Sequence, residues 1–457
     1  MTQVKLEKQL FGTNGVRGVV GVDMTPDLAL RIGTALGSMT EGRVAIGRDT
    51  RTSGEGLSAA LKAGLMACGC DVVDVGIIPT PGLQYLVRGR FSAGAMITAS
   101  HNPPEYNGIK IIDRDGTEMG DEGVVRLEEL VFSGFYRIAS WDKVGREKKD
   151  PSLVDTYIDG VVGQVPAAIG EGIQVVIDPG SGAGYHTTPA ILSRLGCRVL
   201  TINATPDGTF PARLPEPSPE GLEALASLVT GSNSAFGVAH DGDADRAVFI
   251  DDKGRYVEEN QEFALIEQFI CRRQKGTVVT PVSSSLLIEK IASSCGCTVE
   301  YTPVGSIYVA RRMMGMIAKG DRVVLGGEGN GGLIYPGHQF CRDGAMTAAM
   351  MVYLLASAKK PLSTLLDNLP KYHMIKEKLV TREGKKVVQA LEKVFSGDQL
   401  DRTDGIKIVR DRCWALVRGS GTEPIIRIIV ESSRKEEAET FYTGVLHEVK
   451  KALGNKT

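Results

Sequence analysis

Three aspartates at alternate positions open the run Asp241-Gly242-Asp243-Ala244-Asp245-Arg246. Held in one tight loop without a counter-charge, they would repel one another. With a hard divalent cation they become a ligand set, and Mg2+ favours carboxylate oxygens while keeping places open for a substrate phosphate. The run also begins like a calcium EF-hand, D-x-D-x-D. However, Arg246 stands where that loop needs glycine, and Asp252 where it needs a bidentate glutamate, so the EF-hand reading fails. An arginine beside a cation suits a phosphoryl oxygen and the charge that develops on it.

A second run, Thr98-Ala99-Ser100-His101-Asn102-Pro103-Pro104, sets a hydroxyl beside an imidazole. Its two prolines keep the segment from continuing as a helix. A serine held this way can act as a nucleophile or phosphate carrier. Taken alone, the same residues are also ordinary turn formers. Lys110 follows closely and can serve as a general acid or base, provided its surroundings lower its pKa.

The third run is Gly326-Gly327-Glu328-Gly329-Asn330-Gly331-Gly332. Its glycines allow a backbone to approach a ligand, and Glu328 and Asn330 offer a carboxylate and an amide to neighbouring sugar hydroxyls. The fourth, Arg418-Gly419-Ser420-Gly421-Thr422-Glu423-Pro424 with Arg427 beyond it, combines hydroxyls, backbone N–H groups and two arginines into an anion nest. It lacks the lysine of a nucleotide-binding Walker loop, so ATP is not implied.

All four runs are expected on loops beyond strand ends, where open α/β sheets bind ligands. Strands are expected at Arg43–Gly47, Asp71–Gly76 and Gly94–Thr98, with helices at Pro26–Leu36 and Glu55–Ala67 between them. Such alternation implies a largely parallel sheet covered by helices. A dipeptide echo points to repetition: Gly69-Cys70-Asp71-Val72, Gly196-Cys197-Arg198-Val199 and Gly296-Cys297-Thr298-Val299 each follow a helical stretch. Glycine ends a helix and a buried strand then begins, so three related α/β units are expected. The C-terminal part reads as α+β. Lys371–Thr381, Gly405–Arg410, Cys413–Arg418 and Ile425–Glu431 are strand-like, and Glu383–Phe395 and Lys435–Ala452 helical. The expected domains are residues 1–151, 152–252, 253–370 and 371–457.

The 457 residues suffice for several domains, and 42% hydrophobic with 24% charged residues is ordinary for a globular protein. A net charge of −2, no basic block and only 6% aromatic residues give no reason to expect a nucleic acid partner. No apolar run is long enough for a membrane span or a secretory signal, so the expectation is a cytoplasmic protein without a membrane partner. The eight cysteines form no C-x-x-C pair and are expected mostly as small, reduced core residues.

The four runs, in this order, resemble the α-D-phosphohexomutase family, and the resemblance covers essentially the whole chain. It implies three related α/β domains with mixed, largely parallel sheets and a C-terminal α+β domain around a central cleft. In that likeness Ser100 is the serine phosphorylated in the active enzyme. Asp241, Asp243 and Asp245 are Mg2+ ligands, with phosphorylated Ser100 adding an oxygen. Lys110 and His101 are acid/base neighbours, Arg246 lies beside the metal, and Arg17 in Phe11-Gly12-Thr13-Asn14-Gly15-Val16-Arg17-Gly18 is an active-site arginine. Glu328 and Asn330 match the sugar loop. Thr302 and Gly305 lie in another substrate loop, where Ser306 replaces a common acidic residue. Arg418, Ser420, Gly421, Thr422 and Arg427 match the site for the non-reacting phosphate.

Many relatives carry Ser and His where this chain has Asn330 and Gly332. The opening F-G-T-x-G-x-R-G is more similar to phosphoglucosamine mutases than to the phosphomannomutase/phosphoglucomutase branch, and the G-x-N-G-G ending looks archaeal. The resemblance thus implies interconversion of glucosamine 6-phosphate and glucosamine 1-phosphate, with a sugar bisphosphate as intermediate and activator. Mannose or glucose phosphates are the alternative substrates. A phosphatase and a sugar-phosphate-binding regulator are the alternatives of other classes.

Overall fold

The computed structural model describes residues 9–12, 14–419 and 425–454. The chain forms two compact units, Met1–Glu259 with Gly331–Leu365, and Asn260–Asn330 with Leu366–Thr457.

The first unit holds two sheets. One has the strand order Val16–Val19, Tyr106–Asp113, Ala93–Ile97, Arg43–Arg48, Asp71–Ile77, Glu147–Lys149. The first two pairings along this order are antiparallel and the other three parallel. Ala93–Ile97 is buried at every position, as expected for a short apolar strand covered on both faces. Helix Pro26–Met39 starts at Thr25, whose hydroxyl accepts from the Leu28 N–H, with proline at the first position. The second sheet has the order Ala247–Asp251, Phe236–His240, Gln174–Asp178, Arg198–Thr201, with only the first pair antiparallel. Helix Gly344–Ala358 is buried nearly all round and packs on helices Leu153–Val162 and Thr187–Arg194.

In the second unit, Thr277–Pro281 lies between Thr298–Thr302 and Val323–Glu328, all parallel. The C-terminal sheet is antiparallel, in the order His373–Val380, Ile425–Ser432, Cys413–Gly419, Ile406–Val409, Gln399–Asp401. Helices Gly384–Val394 and Lys435–Ala452 cover one face of it. Trp414, Leu416 and Ile429 on the same sheet meet Val282, Leu286 and Tyr301. Glu431 is buried there and accepts from the Leu286 N–H at 2.7 Å, the Trp414 indole at 2.9 Å and the Ser285 hydroxyl. Trp414→Ala empties that site and leaves Glu431 short of a donor. It should cost about 3–5 kcal/mol, read as a lower denaturant midpoint by circular dichroism.

The Gly-Cys echo marks one structural position three times. Gly69, Gly196 and Gly296 all have positive φ (87°, 94° and 67°) directly after a helix. Each is followed by a buried cysteine and a strand that pairs in parallel with the strand preceding it in the chain. All eight cysteines are free. Among the described residues no helix is long and apolar enough to cross a membrane.

Two expectations need correction. Gly326, Gly327 and Glu328 belong to the strand Val323–Glu328 rather than to a loop, and Arg418 and Gly419 likewise end a strand. Glycines are compatible with a strand where a neighbour packs closely, and Gly326 faces the sulfur of Met313. Residues 106–113, read only as a sequel to the serine loop, form a full strand that sets Lys110 opposite Met96.

Candidate active site

The aspartate run joins the antiparallel strands Phe236–His240 and Ala247–Asp251. Ala244 takes a left-handed conformation (φ 55°), and its N–H returns to the Asp241 carbonyl at 3.1 Å, closing the turn. All three carboxylates are buried, and one oxygen of each lies within 4.8 Å of the others. The serine run follows strand Ala93–Ile97 and reaches this turn. A Cβ on Gly242 would stand 2.5 Å from the Ser100 carbonyl oxygen, so only glycine permits the approach. Ser100 donates its hydroxyl to Oδ2 of Asp241 at 2.8 Å, and its Oγ lies 3.4 Å from Nδ1 of His101.

Each carboxylate is oriented by named donors. Lys110, buried on its strand, donates to Oδ2 of Asp243 at 2.7 Å and lies 3.5 Å from Oδ2 of Asp245. The Thr80 hydroxyl also donates to Oδ2 of Asp243. Arg342 pairs with Oδ2 of Asp245. The remaining oxygens, Oδ1 of Asp243 and Oδ1 of Asp245, are buried without a hydrogen-bond partner. Unpartnered buried carboxylate oxygens are costly unless a cation takes them, so the residues fit a divalent metal.

The electrostatics follow from burial and neighbours. Burial, then the charges of Asp245 and Asp243, push Asp241 up to about 7. Burial would raise Asp243 too, but Lys110 and Thr80 hold it well below the usual carboxylate range. Burial also opposes ionisation of Asp245, and Arg342 outweighs it. For Lys110, burial favours the neutral amine, yet Asp243 and Asp245 prevail and its pKa is raised. The lowered pKa set as a condition for acid or base work in the sequence reading is therefore not met. Burial and the charges of Arg246 and Arg17 bring His101 down to about 3, so it is a neutral hydrogen-bond partner and a weak base. Arg246 reaches Nδ1 of His101 at 3.1 Å and lies 3.9 Å from both Asp241 and Asp245. Arg17, in register with Gly108, donates to the Asn102 amide oxygen at 2.8 Å. Ser100, His101, Lys110, Arg17, Arg246 and the aspartates therefore form one cluster in the first unit.

The other predicted residues belong to the second unit. Glu328 ends its strand, and the Asn330 side chain donates to its carboxylate at 3.3 Å. Thr302 ends strand Thr298–Thr302, and Gly305 precedes helix Ser306–Ala318. Arg418 and Arg427 stand directly opposite each other on antiparallel strands, with Lys378 opposite Arg427 on its other side. Like charges in that register repel, so the row suits a bound anion. Asp404 pairs with Arg418 at 3.0 Å and accepts from the Val304 N–H at 3.0 Å, tying the loop that begins at Thr302 to the same place. Ser420, Gly421 and Thr422 lie outside the described residues.

Sequence reasoning missed Asp49, Arg51, Thr80, Arg342, Lys378 and Asp404. The charged run Arg48-Asp49-Thr50-Arg51, directly after a predicted strand, is a signal that could have found the first two. Arg342 carries no such signal, since only the fold brings it to Asp245.

Comparison with known proteins agrees with this geometry. The phosphoglucomutase/phosphomannomutase description matches throughout: alpha/beta/alpha domain I over residues 8–137, domain II over 155–254, domain III over 258–372 and the C-terminal domain over 377–445. A phosphoglucomutase/phosphomannomutase of Thermococcus kodakarensis is 44% identical over 450 residues, covering 95% of this chain and 96% of that one. A phosphoglucosamine/phosphogalactosamine mutase of Sulfurisphaera tokodaii is 37% identical over 98% of this chain and 100% of its own. The crystal structure of a phosphoglucomutase/phosphomannomutase family protein from Burkholderia thailandensis superposes with a TM-score of 0.87 at 25% identity, covering 97% of this chain and 98% of that one. The chain belongs to the phosphoglucomutase/phosphomannomutase family of phosphohexomutases, enzymes that isomerise sugar phosphates by phosphoryl transfer.

Proposed function

We propose that this phosphohexomutase is a phosphoglucosamine mutase, interconverting glucosamine 6-phosphate and glucosamine 1-phosphate with Ser100 as phosphoryl carrier and Mg2+ at Asp241, Asp243 and Asp245. The observation that carries the reading is the Ser100 hydroxyl, 2.8 Å from Asp241 and beside two buried carboxylate oxygens without partners. A nucleophile and a cation site meet there, as phosphoryl transfer requires.

In the forward half-reaction a sugar hydroxyl oxygen bonds to phosphorus as the bond from phosphorus to Ser100 Oγ breaks. The product is a sugar bisphosphate, which turns over and returns its other phosphoryl group to Ser100. The bisphosphate therefore also activates an unphosphorylated chain. Lys110, kept protonated by Asp243 and Asp245, is suited to give its proton to the leaving Ser100 oxygen and to regain one from the attacking sugar hydroxyl, so that the proton balances. Arg246 and Arg17 steady the phosphoryl oxygens. Bound Mg2+ would neutralise charge on the transferring group. The row of Arg418, Arg427 and Lys378 would hold the phosphate that is not reacting. Glu328 offers a carboxylate to the amino group of a hexosamine, and the Sulfurisphaera tokodaii relative bears a hexosamine name.

Turnover with Mg2+ and a trace of sugar bisphosphate should be fastest for glucosamine 6-phosphate. Its kcat/KM should exceed those of mannose 1-phosphate and glucose 1-phosphate by about tenfold or more. Faster turnover of either hexose phosphate would move the substrate assignment to them. Phosphate release without isomerisation would overturn the mutase mechanism.

A further inference from the structure

Ser100 is a non-glycine residue in the left-handed region, with φ 53°. Such a conformation persists only where the surroundings enforce it, and it is concentrated at functional sites. Here both backbone polar atoms of Ser100 lead to one buried ion pair. The Ser100 N–H donates to Oγ1 of Thr98 at 2.9 Å, and the Thr98 hydroxyl donates to Oδ2 of Asp49 at 2.6 Å. The Ser100 carbonyl accepts from Nη2 of Arg51 at 2.9 Å, and Arg51 Nε returns to Oδ2 of Asp49 at 3.1 Å.

Arg51 does more than close that ring. Its guanidinium also donates to the carbonyls of Asn102 at 2.6 Å, Pro103 at 2.6 Å and Tyr106 at 2.8 Å. It is 1% exposed, and the Phe210 ring lies 5.2 Å from its central carbon. One planar fork thus takes four carbonyls between Ser100 and the start of the next strand, a task that the rigid donor geometry of arginine suits and a lysine ammonium does not.

We propose that Arg51 is the positioning residue of the phosphoryl-carrying loop: with Asp49 and Thr98 it holds Ser100 left-handed, so that Oγ faces Asp241. Arg51 gives its guanidinium hydrogens to Asp49 and to backbone carbonyls from Ser100 to Tyr106, so its effect should fall on the chemical step and not on substrate binding. The inference rests on the reading of Ser100 as the carrier.

The test uses the full-length chain with Arg51→Lys and Thr98→Val. It compares kcat, KM for the sugar phosphate, the rate at which a sugar bisphosphate phosphorylates Ser100, and the melting temperature. Arg51→Lys should lower kcat and the phosphorylation rate about 100-fold, the usual effect of displacing a reacting group by roughly 1 Å, with KM within about threefold of the parent. Thr98→Val should move the same two rates in the same direction by about tenfold. A folded Arg51→Lys that keeps kcat within about twofold, or loses only in KM, overturns the proposal. If Arg51→Lys does not fold, Thr98→Val decides alone, and unchanged rates in it overturn the proposal. A parent chain that is never phosphorylated on Ser100 overturns the mutase reading itself, and is recognised before any variant is made.

Discussion

Ser100→Ala should lower mutase turnover by about 10^4-fold or more while leaving the fold in place, because removing a covalent carrier removes the only route through the phosphoenzyme. The fold should survive because the side chain contributes little to it. The hydroxyl donates once, to Asp241, and touches His101. The backbone bonds that define the loop, from the Ser100 N–H to Thr98 and from Arg51 to the Ser100 carbonyl, are unaffected by loss of the hydroxyl. The lost donor leaves Asp241 with one contact fewer, a change on the order of 1 kcal/mol, so the melting temperature should shift only slightly. Mass spectrometry after incubation with a sugar bisphosphate should find a phosphoryl group on the parent and none on the variant. Turnover above about one per cent of the parent in a clean preparation would mean that another group carries the phosphoryl.

The residues proposed to react could be named in advance because their chemistry is concentrated in short runs. Three aspartates in five positions imply a cation, and a strand followed by Ser-His-Asn-Pro-Pro implies a fixed hydroxyl. Elements were also readable where burial and period agreed, as in Ala93–Ile97 and Lys435–Ala452. What could not be read comes from long-range pairing. Lys110 lies 133 residues from Asp243, and its raised pKa exists only because two strands and a turn converge. Arg342 meets Asp245 across 97 positions. Arg51 shows no sign in the sequence of the four carbonyls it takes. The opposed register of Arg418 and Arg427 depends on hairpin geometry, although both residues could be named in advance.

The charges of the cluster constrain its chemistry further. Arg17, Lys110, Arg246 and Arg342 set four cations against the four carboxyl groups of Asp241, Asp243, Asp245 and Glu118, with burial and its two neighbouring carboxylates pushing Asp241 up to about 7. A dication adds two positive charges, and a phosphorylated Ser100 brings roughly −2 at neutral pH. Either alone unbalances a buried site, whereas the two together restore it. Metal binding and phosphorylation should therefore favour each other, and reciprocally, as linkage requires.

Lys110→Met is the variant that separates the proton's part in catalysis from this charge balance. The thioether side chain fills a similar volume but leaves Asp243 and Asp245 without the ammonium that contacts both. Breaking one side of a buried pair typically costs about 3–5 kcal/mol, so without added metal the variant should melt well below the parent. The same change makes the site more negative and removes a cation that repels Mg2+. The stabilisation that saturating Mg2+ confers should then be larger in the variant than in the parent, by the linkage between binding and stability. Turnover should move the other way. Loss of a positioned proton donor costs about 10^2–10^4-fold, and restored charge balance cannot replace a proton. Thermal unfolding with and without Mg2+, set beside kcat at saturating Mg2+, measures both. A variant that gains stability from metal yet stays inactive is the expected result. Full recovery of kcat by Mg2+ would show that Lys110 acts only as a counter-charge to the aspartates.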